Sequence, residues 1–359
     1  MPSHRQIHLY FRFSVLMGLV FGILSSSCLS SSASISLADE IVLYNWADYM
    51  PQSVLDAFTA EYSVKVTYLT YTSIQEATTH LKAGGEFDVV VMEHDVVPSL
   101  VADGLLSKIN YENVPNFKNI SSNFRDLNTD PGNQYSIPYN YGTTGLVVRS
   151  DLVEMPVSRW ADLWDPRYSG KIAARALPGE LIGVALKSLG YSLNSEDPQQ
   201  LEAALQQLII LDPIIVDDQT SMAIPVLFNG DAVIMIGWAN DVLQAQQKDK
   251  SISYVLPAEG TLLWGDTFVI PAKSTRKYTA ELFLNFLLRP EISAQIVNEI
   301  HYANTNEAAY PMIDTKIINN SIVFPPPDIL KKADWYGTLS PAGEKLYADI
   351  WERFLTGRP

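Results

Sequence analysis

The amino-acid sequence predicts an α/β fold, because short apolar strands alternate with amphipathic helices along most of its 359 residues. Hydrophobic residues make up 47% of the chain and charged residues 18%, which is enough apolar surface for two domains with their own cores. Strand and helix in strict alternation are typical of a parallel sheet with helices on both faces. The alternation occurs in two blocks, so we expect two α/β units.

The first unit begins with three short runs that we predict to be buried strands, at 41–44, 64–68 and 88–92. Between them, Pro51 suits the first position of a helix, and apolar residues recur at helical spacing, which predicts a helix over 51–62. A second helix over 73–82 ends before two glycines, which are a common helix stop.

The second unit has the same alternation. We predict strands at 144–148, 231–236, 253–256 and 267–270, and helices at 180–189, 201–211 and 239–247. Residues 108–140 are rich in Asn, Asp, Pro and Gly, so we expect them to form surface connections around a crossing between domains.

Residues 1–38 have the pattern of a secretory signal peptide. Arg5 and Arg12 precede the uncharged run 13–24, and small residues, mostly Ser, follow. The run is shorter than the roughly 20 residues that a membrane-spanning helix needs. The sequence leaves two processing routes open: cleavage of the signal peptide near Ala38, or attachment of a lipid at Cys28. We therefore expect a periplasmic protein, either free or anchored as a lipoprotein.

Charge and cysteine content exclude several classes of protein. Asp and Glu number 40 against 25 Lys and Arg, and a net charge of −15 disfavours nucleic acid or an anionic membrane as the partner. Loss of the leader removes two Arg and no acid, so the exported chain carries −17. A single Cys excludes an intrachain disulfide, a Cys-based zinc finger and an iron–sulfur cluster.

Catalytic motifs are not found in the sequence. The G-x-S-x-G, P-loop, G-x-G-x-x-G, H-E-x-x-H and EF-hand patterns do not occur. Glu93, His94 and Asp95 are consecutive, and neighbours in a strand or turn point apart, so they do not all face one ion. We expect no enzyme, no cofactor and no metal site. An exported hydrolase that uses two of the many carboxyl groups stays open as an alternative.

Three aromatic residues stand two or three positions from an acid near the ends of predicted strands. They are Trp46 with Asp48 and Tyr49, Trp238 with Asp241, and Trp264 with Asp266. Each Trp could instead fill a core and each Asp cap a helix. In open α/β sheets, however, ligands bind at the carboxyl ends of the strands. Carboxylates accept hydrogen bonds from ammonium groups, and aromatic faces suit the cations and methylenes between them, so this combination favours an organic polycation.

Six motifs resemble, in order along nearly the whole exported chain, those of the bacterial periplasmic spermidine/putrescine-binding proteins. They are YNWADY (44–49), YSIPY (135–139), WADLW (160–164), LGYS (189–192), IGW (236–238) and NFLLRPE (285–291). The resemblance implies a two-lobed periplasmic binding protein fold of type II. Each lobe would be a mostly parallel sheet flanked by helices, and strand crossovers would join the lobes. The expected lobes are 40–142 plus 266–310, and 143–265 plus 311–359.

The resemblance also implies a function and a set of ligand-binding residues. The protein would be a monomer that closes on a polyamine and presents it to the membrane permease of an ABC importer. A different ligand on the same fold, such as a thiamine-like cation, an opine or a metal chelate, stays open. By position, the ligand-binding residues would be Trp46, Asp48, Tyr49, Glu180, Trp238, Asp241, Trp264, Asp266, Tyr302 and Tyr336.

Two departures from the family pattern concern the charge of this site. Where the family usually has a small hydroxyl residue and, two positions on, an aromatic residue, this chain has Glu93 and Asp95. We include both among the predicted ligand-binding residues. Three positions before Glu180, where the spermidine-binding branch has an acid, this chain has Leu177. The order of preference among polyamines does not follow from the sequence.

Overall fold

The computed structural model describes residues 36–216 and 225–357. The predicted leader and its Cys28 lie outside these residues. Helices and strands alternate as the sequence predicts, in two blocks. The strands are β1 (Glu40–Trp46), β2 (Lys65–Tyr71), β3 (Val89–Glu93), β4 (Ser136–Arg149), β5 (Ile172–Arg175), β6 (Ile214–Val216), β7 (Ile234–Trp238), β8 (Ile252–Val255), β9 (Leu262–Val269), β10 (Ala303–Asn304) and β11 (Asp334–Trp335).

The α-helices flank these strands. They are α1 (Gln52–Tyr62), α2 (Ile74–Lys82), α3 (Val97–Ala102), α4 (Pro178–Ser188), α5 (Pro198–Leu211), α6 (Pro225–Phe228), α7 (Ala239–Lys248), α8 (Lys277–Leu287), α9 (Pro290–Ile300), α10 (Thr315–Ile318), α11 (Pro327–Leu330) and α12 (Pro341–Thr356). Across the described part of the chain, every helix is too short or too polar to cross a bilayer.

The described strands join in one mixed sheet with the order β2-β1-β3-β9-β4-β7-β5-β6. At one end β2, β1 and β3 are parallel, and at the other β7, β5 and β6 are parallel. Between them, β9 and β4 run antiparallel to each other and to their outer neighbours β3 and β7. These two strands therefore connect two parallel sheets, which is the type II two-lobed arrangement expected from the resemblance.

Each parallel sheet is covered by apolar side chains on both faces. In the first lobe, Ile41 and Leu43 of β1 pack with Phe58 of α1 and Phe283 of α8, while Tyr44 faces a second cluster on the opposite side. Alternation of these side chains along β1 fits a strand buried on both faces. The second lobe has the same build, with clusters above and below β5 and β7.

Two sequence predictions about the lobe crossing need correction. The expected surface connection 108–140 ends in strand, because Ser136–Asn140 form the buried first part of β4. Residues 311–324 were expected in the second lobe, whereas Ile313, Ile317 and Phe324 pack in a cluster with Val297 of α9 in the first lobe. Further along the chain, Tyr336, Leu339 and the apolar face of α12 pack in the second-lobe core. The rest of the lobe division stays a proposal.

Candidate functional site

The candidate site lies where parallel strands of both lobes end beside the crossover strand β9. Trp46 is the last residue of β1, Glu93 the last of β3 and Trp238 the last of β7. Carboxyl ends of parallel strands are the usual ligand edge of such sheets. In this fold the carboxyl ends of β1 and β3 in the first lobe and of β7 in the second lobe face one another across the middle of β9.

The crossover strand β9 supplies two of the predicted residues to this place. Trp264 and Asp266 were expected just before a strand, but they lie inside β9 (Leu262–Val269). Residues two apart in a strand share a face, so both side chains point to the same side. Asp266 stands directly opposite Glu93 in the antiparallel register of β3 and β9. Cross-strand partners have Cβ atoms about 5 Å apart, which brings these two carboxyl groups together.

Asp266 is held by a tyrosine from the first lobe. Its side chain is 6% exposed, and the Tyr49 hydroxyl donates a hydrogen bond of 2.6 Å to its Oδ2 atom. The Tyr139 hydroxyl in turn donates to the main-chain carbonyl of Tyr49 at 2.7 Å. Burial raises the pKa of Asp266 to about 7, and the hydrogen bond from Tyr49 opposes that shift. The carboxyl group is therefore oriented by a neutral donor, and no positively charged side chain among the described residues is paired with it.

Two further acids lie beside Asp266. Burial, and then the charges of Asp95, Asp266 and Glu180, hold the pKa of Glu93 well above its ordinary value. Burial also raises the pKa of Asp95. None of the ion pairs among residues 36–216 and 225–357 involves Glu93, Asp95 or Asp266. This first-lobe cluster, Glu93 with Asp95 and Asp266, is a group of acids without a protein counter-ion in the described chain.

The second lobe adds Glu180 from the first turn of α4. The side chain is buried, and the Trp238 indole Nε1 donates to its Oε1 atom at 3.3 Å. Burial raises the pKa of Glu180 to about 7, while nearby Arg175 and the Trp238 hydrogen bond lower it. Leu177, the departure noted in the sequence, lies at the N-cap of the same helix and brings no charge.

Aromatic rings form a continuous row between the acids of the two lobes. The ring centroids of Tyr49 and Tyr302 are 4.9 Å apart, those of Tyr302 and Trp264 are 6.1 Å apart, and those of Trp264 and Trp238 are 6.1 Å apart. The Asn240 amide of α7 donates to the Tyr302 hydroxyl at 2.8 Å. Such a row can line the methylene chain of a ligand and face its cations.

Asp241 has a partner that sequence reasoning missed. Arg175, the last residue of β5, is 3% exposed, and its Nη2 atom donates to both oxygens of Asp241 at 2.8 Å. The guanidinium carbon also lies 4.3 Å from the centroid of the Trp238 ring. The predicted role of Asp241 as an ammonium ligand is therefore revised: its charge is compensated inside the protein. A cationic residue directly after the apolar run 172–174 was the signal available in the sequence.

Of the remaining predicted residues, Trp46 and Tyr336 lie in the site and Asp48 does not. Trp46 packs on Tyr71 with centroids 4.5 Å apart, and Tyr336 follows β11 with a buried hydroxyl that has no partner among the described residues. Burial, and then Glu180, Glu93 and Asp95, raise the pKa of Tyr336, so it lies near the acids. Asp48 is exposed at a φ of 56°, and among the described residues no hydrogen bond or ion pair joins it to the other acids. The structure thus brings the acids together without Asp48.

The arrangement of the acids bears on whether the ligand is a single metal ion or an extended cation. In the described part of the chain, no three His, Cys, Asp or Glu side chains are grouped closely enough to hold one metal ion. Several carboxylates that share one cleft without converging on a point suit a ligand whose positive charges are spaced along a chain.

Comparison with known proteins gives consistent matches. The family model of the bacterial extracellular solute-binding proteins matches residues 53–325. The spermidine/putrescine-binding periplasmic protein of Escherichia coli is 31% identical over 342 residues, covering 94% of this chain and 98% of the relative. The putrescine-binding periplasmic protein PotF of Escherichia coli is 29% identical, covering 96% of this chain and 98% of the relative.

A solved structure agrees with these matches. The substrate-binding protein PotD of a spermidine/putrescine ABC transporter from Streptococcus pneumoniae, crystallised with calcium and HEPES, superimposes with a TM-score of 0.83 at 30% identity. The alignment covers 90% of this chain and all of that chain.

Proposed function

The chain belongs to the bacterial extracellular solute-binding proteins, and on that premise we propose that it is the polyamine receptor of an ABC importer. Its ligand would be a linear amine of the spermidine/putrescine class, for which its relatives are named. The protein would act by binding and presentation, without catalysis, and its partner would be a membrane permease. It would work outside the cytoplasm as a monomer.

One observation carries the proposal. Glu93, Asp95 and Asp266 of the first lobe and Glu180 of the second are buried or half-buried around a row of aromatic rings, and none has an ion-pair partner in the described chain. Buried carboxylates without a counter-ion are costly, so the site is incomplete until a cation enters. A polyamine supplies several ammonium groups, and its methylenes suit the aromatic walls.

The two-lobed build supplies a mechanism of capture. Besides the crossover strands β4 and β9, the contacts across the cleft include two hydrogen bonds: Asn240 to Tyr302, and the Thr338 hydroxyl to the Asp95 carbonyl at 2.7 Å. We propose that the lobes open and close about β4 and β9, and that these contacts form when the ligand is enclosed. Trp46, Tyr49, Trp238, Trp264, Tyr302 and Tyr336 would then line the bound chain.

Calorimetric titration of the exported protein, from residue 39, tests the proposal. The ligands are spermidine, putrescine and spermine, with 1,4-butanediol as the uncharged control. We expect tight, saturable binding of at least one amine, no heat from the diol and no product. Absence of binding to all three amines would leave the family membership intact but refute the polyamine assignment.

A further inference from the structure

The charges of the candidate site are divided unequally between the two lobes. The first-lobe cluster of Glu93, Asp95 and Asp266 has no described ion-pair partner. On the second lobe, Arg175 pairs with Asp241, and this leaves Glu180 as the acid whose charge is not matched by a salt bridge. The acids without a salt bridge therefore number three on the first-lobe side of the cleft and one on the second-lobe side, and Glu180 lies near enough to raise the pKa of Glu93.

The geometry of the first-lobe side favours more than one positive charge there once its acids are ionised. Glu93 and Asp266 are direct cross-strand partners, and like charges in that position destabilise a sheet. Asp95 lies near this pair, since its charge raises the pKa of both Glu93 and Asp266. One ammonium group between three carboxylates leaves net negative charge in a place with little water.

The second-lobe side of the cleft, around Glu180, disfavours two closely spaced ammonium groups. The Arg175 guanidinium stacks on Trp238, whose indole donates to Glu180, so a ligand cation that approaches Glu180 also approaches a fixed cation. A single terminal ammonium can pair with Glu180 while it keeps its distance from Arg175. A second amine close by would be repelled.

Building on the proposed function, we infer that the site selects linear amines with at least three positive charges over diamines, with Glu93 and Asp95 as the residues that determine this specificity. Two neighbouring amino groups of the ligand lie against Glu93, Asp95 and Asp266, and the remaining terminal amine lies toward Glu180. A diamine that spans the cleft places only one ammonium at the first-lobe end. The extra acids thus penalise a short diamine rather than simply raising affinity for every amine.

The test compares the dissociation constants of spermidine and putrescine in the wild-type protein and in Glu93→Gln and Asp95→Asn. We expect spermidine to bind the wild type at least about tenfold more tightly than putrescine, because one more charge-assisted contact forms. Each variant should weaken spermidine much more than putrescine, so the ratio should fall toward unity. Glu86→Gln, at an exposed position before the same strand, is the matched control and should leave the ratio unchanged.

Proton release provides a second readout. Glu93 is faced by Asp95, Asp266 and Glu180 and by the hydroxyls of Tyr71 and Tyr336, and its pKa is held above the ordinary value. A trication that favours the carboxylate form should therefore displace protons near neutral pH. Titrations in two buffers of different ionisation enthalpy should show release on spermidine binding, and less release in Glu93→Gln.

The possible outcomes separate the inference from the function on which it rests. Equal affinity for the two amines in the wild type, or a ratio that both variants leave intact, overturns the inference while the polyamine receptor stands. Failure of the wild type to bind either amine refutes the proposed function itself. The melting temperature of each variant should equal or exceed that of the wild type because a costly buried charge is removed, and this result confirms that a loss of binding is not a loss of fold.

Discussion

At the scale of single residues, the central feature is an acid that is oriented but left without a counter-ion. Asp266 accepts a hydrogen bond from Tyr49 and faces Glu93 across the sheet. A neutral donor fixes the direction of a carboxylate without cancelling its charge. This arrangement keeps the acid available for a ligand cation, but it lowers the stability of the ligand-free protein.

Replacement of Asp266 by Asn tests the role of its charge. Asp266→Asn keeps the size of the side chain and removes the negative charge, so spermidine affinity should fall by at least about tenfold while the fold persists. Calorimetric titration measures the affinity, and circular dichroism checks the fold. Asp328→Asn, in the exposed first turn of α11, is the control. Unchanged affinity in Asp266→Asn would remove this residue from the site.

At the scale of elements, the crossover strands decide where the aromatic wall stands. Gly142 of β4 pairs with Trp264 of β9, and a Cβ atom on Gly142 would lie 2.2 Å from the indole ring. The glycine thus leaves the space that the ring occupies. In the second lobe, Arg175 at the end of β5 pairs with Asp241 near the start of α7 and holds these two elements together.

Gly142→Ala should displace Trp264 from the aromatic row. Because a rigid ring would have to move away from the added methyl group, we expect weaker polyamine binding, measured by titration, and a changed tryptophan fluorescence spectrum. Gly179→Ala in α4 adds the same methyl group where no atom lies within 4 Å, and it should change neither. Wild-type affinity in Gly142→Ala would show that the position of Trp264 does not matter for binding.

Arg175→Gln should destabilise the protein by about 3 kcal/mol, because a largely buried Asp241 carboxylate would lose its ion pair. Urea denaturation measures the free energy of unfolding. The double variant Arg175→Gln with Asp241→Asn should recover part of the loss, since no unpaired charge remains. A double variant less stable than the single one would argue against this explanation.

At the scale of the whole molecule, the site couples ligand binding to stability. Two parallel sheets meet at β4 and β9, and the acids of both lobes gather at this junction. Repulsion among these acids, when they are ionised, destabilises the ligand-free protein. Any ligand that binds only the folded state stabilises the folded protein by mass action. Stability should therefore depend on both pH and polyamine.

The melting temperature of the ligand-free protein should fall as pH rises from about 6.5 to 8. Asp266 and Glu180 have folded pKa values near 7, above their ordinary values of 3.8 and 4.5, so the folded state binds more protons than the unfolded state in this range. Buried His94, whose pKa is lowered to about 4 from 6.5, opposes this trend, but only below about pH 6.5.

Differential scanning fluorimetry measures this pH dependence. The double variant Asp266→Asn with Glu180→Gln should flatten the curve above pH 6.5, and spermidine should raise the melting temperature more at pH 8 than at pH 6. A wild-type curve that rises over this range would contradict the assignment of unpaired acids.

Local pattern was enough to predict strands β1, β2, β3, β7 and β8, helices α1, α2, α4, α5 and α7, the two-unit build, and the aromatic and acidic residues near strand ends. These features depend on periodicity and neighbouring residues, and the sequence displays both directly. The short strands β5 and β6 and the helices after β9 were not predicted. The length of β4 and the place of Trp264 and Asp266 inside β9 were not predicted. Crossover strands carry Gly, Thr, Asn and Tyr where a buried strand normally shows an apolar run.

Only the tertiary structure decided how the charges are shared. Glu93 and Asp266 are 173 residues apart in the sequence, and Arg175 and Asp241 are 66 residues apart, yet each pair is in contact in the fold. Such partners are set by strand register and lobe packing, which local sequence does not encode. The sequence by itself therefore determined that acids and aromatic rings would line a cleft. The fold decided which of those acids keep an uncompensated charge for a ligand, because an ion pair depends on distance in space and not on distance along the chain.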